Sequence, residues 1–300
     1  MKKYYCLVTA LIITGTTAFT SFSGLPSGTD VWLFTYEFRA GTYSIIAGTN
    51  ISNHKGYDSQ PSFSESGGYM LWTSERDSGQ TEIYRYDVQG KVSTRITQTA
   101  VSEYSPTYMF GGKYISAVVV EKDSSQRLWK YHKSTAKSKI LLPKVYGVGY
   151  HCWFDENTVF LFQLTDPVTL VQSDIRAGTS KIVTSNIGRC MSTYKTVKQK
   201  ILLYTQRDAQ DKMWIKAVDG LGVKMPDFTP IPCLEGSEDF AVDKRGYLMM
   251  GAGSKLYSWK IGESTEWILV ADLSGFDIKS ITRIAISPDG SRIALVDNNE

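Results

Sequence analysis

The chain has 300 residues, 42% hydrophobic and 21% charged, with a formal net charge of +3. The apolar share excludes a disordered chain, and near-neutrality leaves no general electrostatic reason to bind nucleic acid. Beyond residue 23 no apolar run reaches the ~18 residues of a membrane-spanning helix, and 18 Tyr, 12 Phe and 7 Trp favour strands over helices.

Met1 to Ser23 reads as a secretory signal peptide. Lys2 and Lys3 give a positive start, Cys6 to Ile13 a short apolar stretch, and small residues follow with possible cleavage after Ala18 or Ser23. Cys6 stands too early in that stretch to accept a lipid at the cleavage site. The expected mature chain, 24–300, is therefore periplasmic or extracellular. It keeps Cys152, Cys190 and Cys233, an odd number without zinc spacing. Cys152 and Cys190 should stand on neighbouring innermost strands. Their offset of two residues adds ~6–7 Å along the strand, beyond usual disulfide reach, so free thiols are expected.

From residue 57 onward the chain repeats. Pairs of an aliphatic and a second apolar residue recur at Ile83-Tyr84, Leu128-Trp129, Leu170-Val171, Met213-Trp214 and Leu256-Tyr257, spaced by 45, 42, 43 and 43 residues. Ahead of each pair, a strand-like segment ends in an anchor: Phe63, Tyr108, Phe154, Tyr194, Val242 and, in a sixth unit, Ile286. A turn and an apolar run follow each anchor, as in Ser66-Gly67-Gly68 then Tyr69 to Trp72. Gly, Asn and Asp suit such turns because they tolerate positive φ. Each unit of ~43 residues thus holds four short strands, the content of a propeller blade. The sixth unit stops after two strands. The missing two are found near the start: Asp30 to Tyr36 matches a third strand and Thr42 to Ile51 a fourth. The expected fold is all-β: a six-bladed β-propeller of four-stranded blades, a single domain over 24–300, with its last blade closed by strands from both termini.

Tyr57-Asp58-Ser59-Gln60-Pro61-Ser62-Phe63-Ser64 resembles the PD40 (WD40-like) repeat of TolB-like six-bladed propellers. Ile284-Ala285-Ile286-Ser287-Pro288-Asp289-Gly290-Ser291 and Glu103-Tyr104-Ser105-Pro106-Thr107-Tyr108 match it well; units three to five are degenerate. The resemblance spans the mature chain and implies a propeller of the cell envelope. TolB has a further α/β domain ahead of its propeller. With the first blade strand expected by about Asp30 there is no room for one here, so the likeness is to the propeller alone. The oligogalacturonate lyases, which share this propeller, use a histidine-bound metal, whereas His54, His132 and His151 fall on separate parts of the blade map.

No G-x-S-x-G nucleophile turn occurs. Asp77, Asp123, Asp166, Asp208 and Asp297 recur in turns after the second strands, where such residues chiefly cap backbone N–H groups. The candidate binding residues stand where the innermost strands begin, around the channel mouth: Asp58, Gln60, Glu103, Tyr104, Tyr150, His151, Arg189, Glu238, Asp239 and Arg283. Their mixture of aromatic and oppositely charged side chains suits a peptide or glycan. Glu103 and Glu238 are expected to face each other across the ring, with little effect on stability. Trp32, Trp129 and Trp214 mark the rival site on the outer rim.

The expected function is a non-catalytic binding or scaffold propeller, monomeric, recognising an envelope protein, peptide or glycan at the channel mouth. No cofactor, metal or nucleic acid is expected. The alternative is a lyase or hydrolase acting on an oligosaccharide or peptide at the same mouth.

Overall fold

The computed structural model describes residues 28–77 and 79–299. The signal-peptide reading of residues 1–23 lies outside them. Twenty-four strands follow one another, with two three-residue 3-10 turns and no α-helix among the described residues.

The chain opens with the hairpin β1 (Gly28–Arg39) and β2 (Thr42–Asn50). Next come β3 (Gly56–Phe63), β4 (Tyr69–Asp77), β5 (Gln80–Asp87) and β6 (Val92–Arg95), paired in that order as the first group of four. The second group is β7 (Ser102–Tyr108), β8 (Tyr114–Val120), β9 (Gln126–His132) and β10 (Ser138–Ile140). The third is β11 (Val148–Trp153), β12 (Thr158–Gln163), β13 (Thr169–Asp174) and β14 (Thr179–Ser185). The fourth is β15 (Ile187–Lys195), β16 (Lys200–Arg207), β17 (Met213–Val218) and β18 (Ile231–Pro232). The fifth is β19 (Phe240–Val242), β20 (Tyr247–Ala252), β21 (Lys255–Lys260) and β22 (Ile268–Asp272). Last come β23 (Ile281–Ile286) and β24 (Arg292–Asn298).

The final two strands recruit the first two. β24 pairs antiparallel with β1 in register from Thr29↔Asn298 to Thr35↔Arg292, and β1 pairs with β2. A sixth group, β23-β24-β1-β2, is thus built from both ends of the chain. It touches the first group through a two-residue parallel pairing, Gly28↔Gly56 and Thr29↔Tyr57.

The repeat signals have simple causes. The second strand of each group is packed on both faces, so it reads as an unbroken apolar run: Ile115 and Val118, Leu161, Leu202 to Tyr204, Leu248 to Met250 and Ile293 to Val296 are all at most 1% exposed. The aliphatic member of the recurring pair points between groups at Val31, Ile83, Leu128, Leu170 and Leu256, all completely buried, but not in the fourth group, where Met213 is half-buried and Ile215 takes that place. Each such side chain contributes ~1.5–3 kcal/mol of burial. The turns need left-handed backbone where glycine stands, as at Gly67 (φ 69°) and Gly290 (φ 71°).

The core is correspondingly divided. One apolar cluster lies between each pair of successive groups, from Leu71, Ile83, Ile115 and Tyr131 (first and second) to Leu203, Ile215, Leu248 and Met250 (fourth and fifth). Another joins the sixth group back to the first through Val31, Ala294 and Val296 against Met70, Trp72 and Tyr86. This is a β-propeller architecture. Cys152, Cys190 and Cys233 are free thiols, the first two as the strand offset predicts.

Candidate functional site

Of the innermost strands β3, β7, β11, β15, β19 and β23, all but the short β19 are irregular before their anchors. In β3 the pairing register shifts between Ser59 and Ser62, and in β7 between Tyr104 and Thr107. The residue ahead of the proline sits there in the left-handed region, Gln60 at φ 61° and Ser105 at φ 51°. Shifts also occur in β11, β15 and β23. Bulges of this kind bend a strand and re-aim its side chains. Here they bring six equivalent residues, each three before its anchor, around one central cavity: Gln60, Ser105, His151, Met191, Asp239 and Arg283. The cavity measures about 490 Å³ and receives wall residues from all six groups.

A charged cluster stands on this axis. Asp239 accepts from Arg189 Nε at 2.7 Å and lies 3.3 Å from Arg283 Nη1. Arg283 Nη2 donates to Tyr150 Oη at 2.7 Å, with its guanidinium carbon 4.9 Å from the Tyr150 ring centre. That bond links the sixth group to the third, while Arg189 Nη2 reaches the Thr282 carbonyl at 3.1 Å. Burial alone would raise the Asp239 carboxyl, but the two guanidiniums outweigh it and hold its pKa below the ordinary value. Burial likewise opposes the charge on Arg283, and Asp239 with the tyrosines overcomes it.

Where the innermost strands begin, a larger cleft of about 1440 Å³ opens beside the cluster. Its walls come only from the fourth, fifth and sixth groups: the turn Arg207–Trp214, the connection from Pro232 to Asp239, the turn 251–253, and Ser280–Ile284. Arg189, Asp239 and Arg283 line both spaces. In the cleft Glu238 Oε1 accepts the Arg189 backbone N–H at 2.5 Å, and Arg207 pairs with Asp211 at 3.2 Å. Met213, Trp214 and Leu234 supply the apolar surface.

The ten sequence-predicted residues therefore separate. Tyr150, Arg189, Asp239 and Arg283 meet in the cluster, Gln60 and His151 line the channel cavity, and Glu238 lines the cleft. Asp58, Glu103 and Tyr104 are not among the residues lining either space, contrary to their expected place at the mouth. Asp58 is fully buried, its carboxylate accepts from Trp72 Nε1 at 2.9 Å, and its backbone N–H donates to Thr29 Oγ1 of β1 at 3.0 Å. Glu103 is also fully buried, accepting from Thr99 Oγ1 at 2.5 Å and Tyr131 Oη at 3.1 Å. Burial raises its pKa to about 8, with Glu82 beside it pushing the same way. Glu103 is therefore built into the packing of the first two groups, which argues against the expectation that its loss leaves stability unchanged. Tyr104 packs against Tyr57, ring centres 6.4 Å apart.

The rim tryptophans are held by turn acids: Trp129 Nε1 donates to Glu121 and Trp214 Nε1 to Asp208, each at 2.8 Å. Asp123 and Asp208 accept backbone N–H groups of their own turns, as turn capping predicts, whereas Asp297 lies within β24 and accepts from the distant Lys279 and Ser280. His151 bonds Ser116 Oγ at 2.7 Å through Nε2, and burial lowers its pKa to about 3. No group of three or more potential metal ligands occurs among the described residues. Sequence reasoning missed Lys200 in the channel and Arg207 and Lys212 in the cleft; Trp214, named for the rival site on the outer rim, lines the cleft. The signal for the channel was the fixed offset from the anchors. Arg207 and Lys212 flank a turn whose length varies between groups and had none.

Strand order and pairing define a β-propeller fold. No family model matches the chain, and no curated protein matches its sequence. Among solved structures it is similar to a putative TolB from Agrobacterium tumefaciens, at TM-score 0.66 and 12% identity over 90% of this chain and 98% of that one. It is similar also to TolB from Acinetobacter baumannii, at TM-score 0.57 and 11% identity; it covers 65% of that longer chain and 90% of its own. A chain of a nidogen/laminin complex matches at TM-score 0.59 and 10% identity, over 91% of this chain and all of that one. At such identities the likeness concerns the fold. No helix among the described residues is long and apolar enough to cross a membrane.

Proposed function

We propose that the chain is an exported, non-catalytic binding module of the cell envelope: one domain of six blades closed into a ring, cleaved from its leader near residue 23. It works as a monomer and recognises a peptide segment of a partner protein in the cleft where the innermost strands begin. The observation that carries this reading is the cleft itself, about 1440 Å³, with charges of both signs around Trp214, Met213 and Leu234. Its floor is fixed beforehand by the Arg189–Asp239–Arg283 cluster. A rigid cleft with an aromatic anchor and paired charges binds without having to order itself first. The fold of the solved TolB structures supports an envelope setting, and the leader supports export. Among the predicted residues, Arg189, Glu238, Asp239 and Arg283 take this role, joined by Arg207, Lys212 and Trp214.

The test starts from the mature chain, used to capture partners from envelope extract and applied to a glycan array in parallel. A captured protein is then titrated against Trp214→Ala and Glu238→Ala. Loss of about tenfold or more in each supports the cleft. Unchanged affinity in both removes it, and glycan binding without a protein partner redirects the reading to a carbohydrate.

A further inference from the structure

Strands alternate in direction within each group, so the turns after the first and after the third strand come out together, at the end of the ring where the innermost strands finish. The cleft opens at the opposite end. The end away from the cleft carries an inference independent of it.

Turns of the second, third and fourth groups join there into one patch. Phe110 of the second group and Lys200 of the fourth meet at Phe154 of the third: Lys200 Nζ lies 5.3 Å from the Phe110 ring centre and 5.2 Å from that of Phe154. The turn after β17 packs on the same phenylalanine, since a Cβ on Gly220 would stand 2.5 Å from the Phe154 ring. That turn carries Leu221 and Val223 outward, 67% and 58% exposed. The turn between β15 and β16 holds Val197, which is fully exposed, and is tied to the connection after β17 by Lys198 and Asp227 at 3.6 Å. Phe110 is 39% exposed. Apolar side chains scattered singly over a surface are ordinary, whereas these four are gathered on adjoining turns.

The charge around them is positive. Lys113, Lys133 and Lys137 border the patch in the second group, and Lys195, Lys198 and Lys224 in the fourth; all are exposed. The Lys133 backbone N–H donates to the Lys113 carbonyl at 3.1 Å, which brings those two turns together. Among the described residues, Lys198 alone of these lysines has an acidic partner. The acids nearby are Asp155, Glu156, Asp219 and Asp227, fewer than the lysines. Asp155 and Asp219 accept backbone N–H groups of their own turns. In the fifth and sixth groups, by contrast, basic side chains at this end are paired: Arg39 with Glu37, Arg245 with Asp243, Lys260 with Glu263 and Arg292 with Asp289.

We propose that this end of the second to fourth groups docks on an anionic lipid bilayer. Phe110, Val197, Leu221 and Val223 enter the boundary between headgroups and acyl chains, and the lysine ammoniums reach lipid phosphates. Apolar tips on separate turns, with lysines around them, match a fluid interface that adapts to their spacing. A folded protein partner would instead call for a continuous, closely packed centre. The cleft then faces away from the bilayer, open to its own partner.

The test sediments the mature protein with vesicles of phosphatidylcholine containing about one third phosphatidylglycerol, and with vesicles of phosphatidylcholine alone. The expected result is binding to the anionic vesicles at least about tenfold tighter than to the neutral ones, weakened as salt is raised to about 0.5 M. Val197→Asp should weaken it by about fivefold or more, and so should Lys195→Glu combined with Lys198→Glu. Melting curves confirm that these surface variants fold; if the charge reversal does not, Lys113→Glu with Lys133→Glu serves in its place. Lys55→Glu with Lys122→Glu makes the same change of charge at the opposite end of the ring and should leave binding near the parent value. Equal binding to both kinds of vesicle, or none at about 1 mM lipid, would overturn the proposal. So would binding insensitive to either Val197→Asp or the charge reversal at this end, or equal losses from the two charge reversals. Binding to dextran sulfate without binding to vesicles would overturn it too, and would assign the lysines to an acidic polymer. Failure to capture a protein partner, with vesicle binding intact, concerns the cleft and leaves this surface standing.

Discussion

The first two groups and the last three use the beginnings of their innermost strands differently. In the first two, which keep the repeat motif, polar residues early in the innermost strand turn into the protein: Asp58 holds Trp72, and Glu103 gathers the hydroxyls of Thr97, Thr99 and Tyr131. In the fourth and fifth, where the motif decays, and in the sixth, which keeps it, Arg189, Glu238, Asp239 and Arg283 line open spaces. Asp58 and Glu103, turned into the blades, cannot also face a ligand, whereas these four side chains border a cleft.

The strongest test of that scaffold is removal of its shared blade. Deleting Asp30 to Ile51 strips β24 of its partner along the whole Thr29–Thr35 register and bares a sheet edge. Aggregation, or loss of a single cooperative melting transition, is the expected outcome; a soluble deletion protein with an unchanged melt would break the account of closure.

Next in size is Asp239→Ala. It leaves two guanidiniums side by side without their carboxylate, a loss of about 3–5 kcal/mol for a broken buried pair. Chemical denaturation measures it. A cost below about 1 kcal/mol would mean the cluster is not the fixed floor described here.

Glu103→Gln sharpens the contrast through pH. Burial and Glu82 raise the Glu103 pKa in the folded protein from 4.5 to about 8. The folded state then holds a proton that the unfolded chain releases. The stability from this group is full below about pH 4.5 and is lost as the pH rises through about 8. Glu103→Gln keeps the hydrogen-bonding shape without the titration, so its melting temperature should exceed the parent's at pH 8 and approach it at pH 5. Glu103→Ala should destabilise at both, by about 1–3 kcal/mol, since Tyr131 and Thr99 lose a buried acceptor.

The smallest effect on stability belongs to the cleft. Lys212→Ala, in a turn, and Trp214→Ala, near the start of β17, lie at the cleft's edge and should shift unfolding free energy by about 1 kcal/mol or less, while changing partner affinity. Equal losses of stability from Trp214→Ala and Glu103→Ala would erase the distinction between scaffold and site.

Most of the fold was legible because propeller strands repeat their burial. Phe63, Tyr108, Val242 and Ile286 each end an innermost strand, and Val31-Trp32 falls on the third strand of the group shared by both ends. Turn glycines and continuous apolar runs are local signals. The site was legible only where it inherits the repeat. Arg189, Asp239 and Arg283 could be placed at the axis, but which way each side chain turns depends on the bulge in its strand. Sequence spacing cannot tell the buried Glu103 from the cleft-lining Glu238. Lys200 reaches the channel from the start of a second strand, and Trp214 reaches the cleft from a third; neither position advertises the space it faces.

The most direct measurement places a photo-crosslinking residue in the cleft, at Lys212, and in the matching turn of the second group, at Asp123, each in otherwise native protein exposed to envelope extract. Both positions follow a second strand and are solvent-facing turns. The account predicts a discrete crosslinked partner from position 212, competed by excess unmodified protein, and none from position 123. The same partner captured equally from both positions, or from 123 alone, would contradict the assignment of recognition to the fourth, fifth and sixth groups.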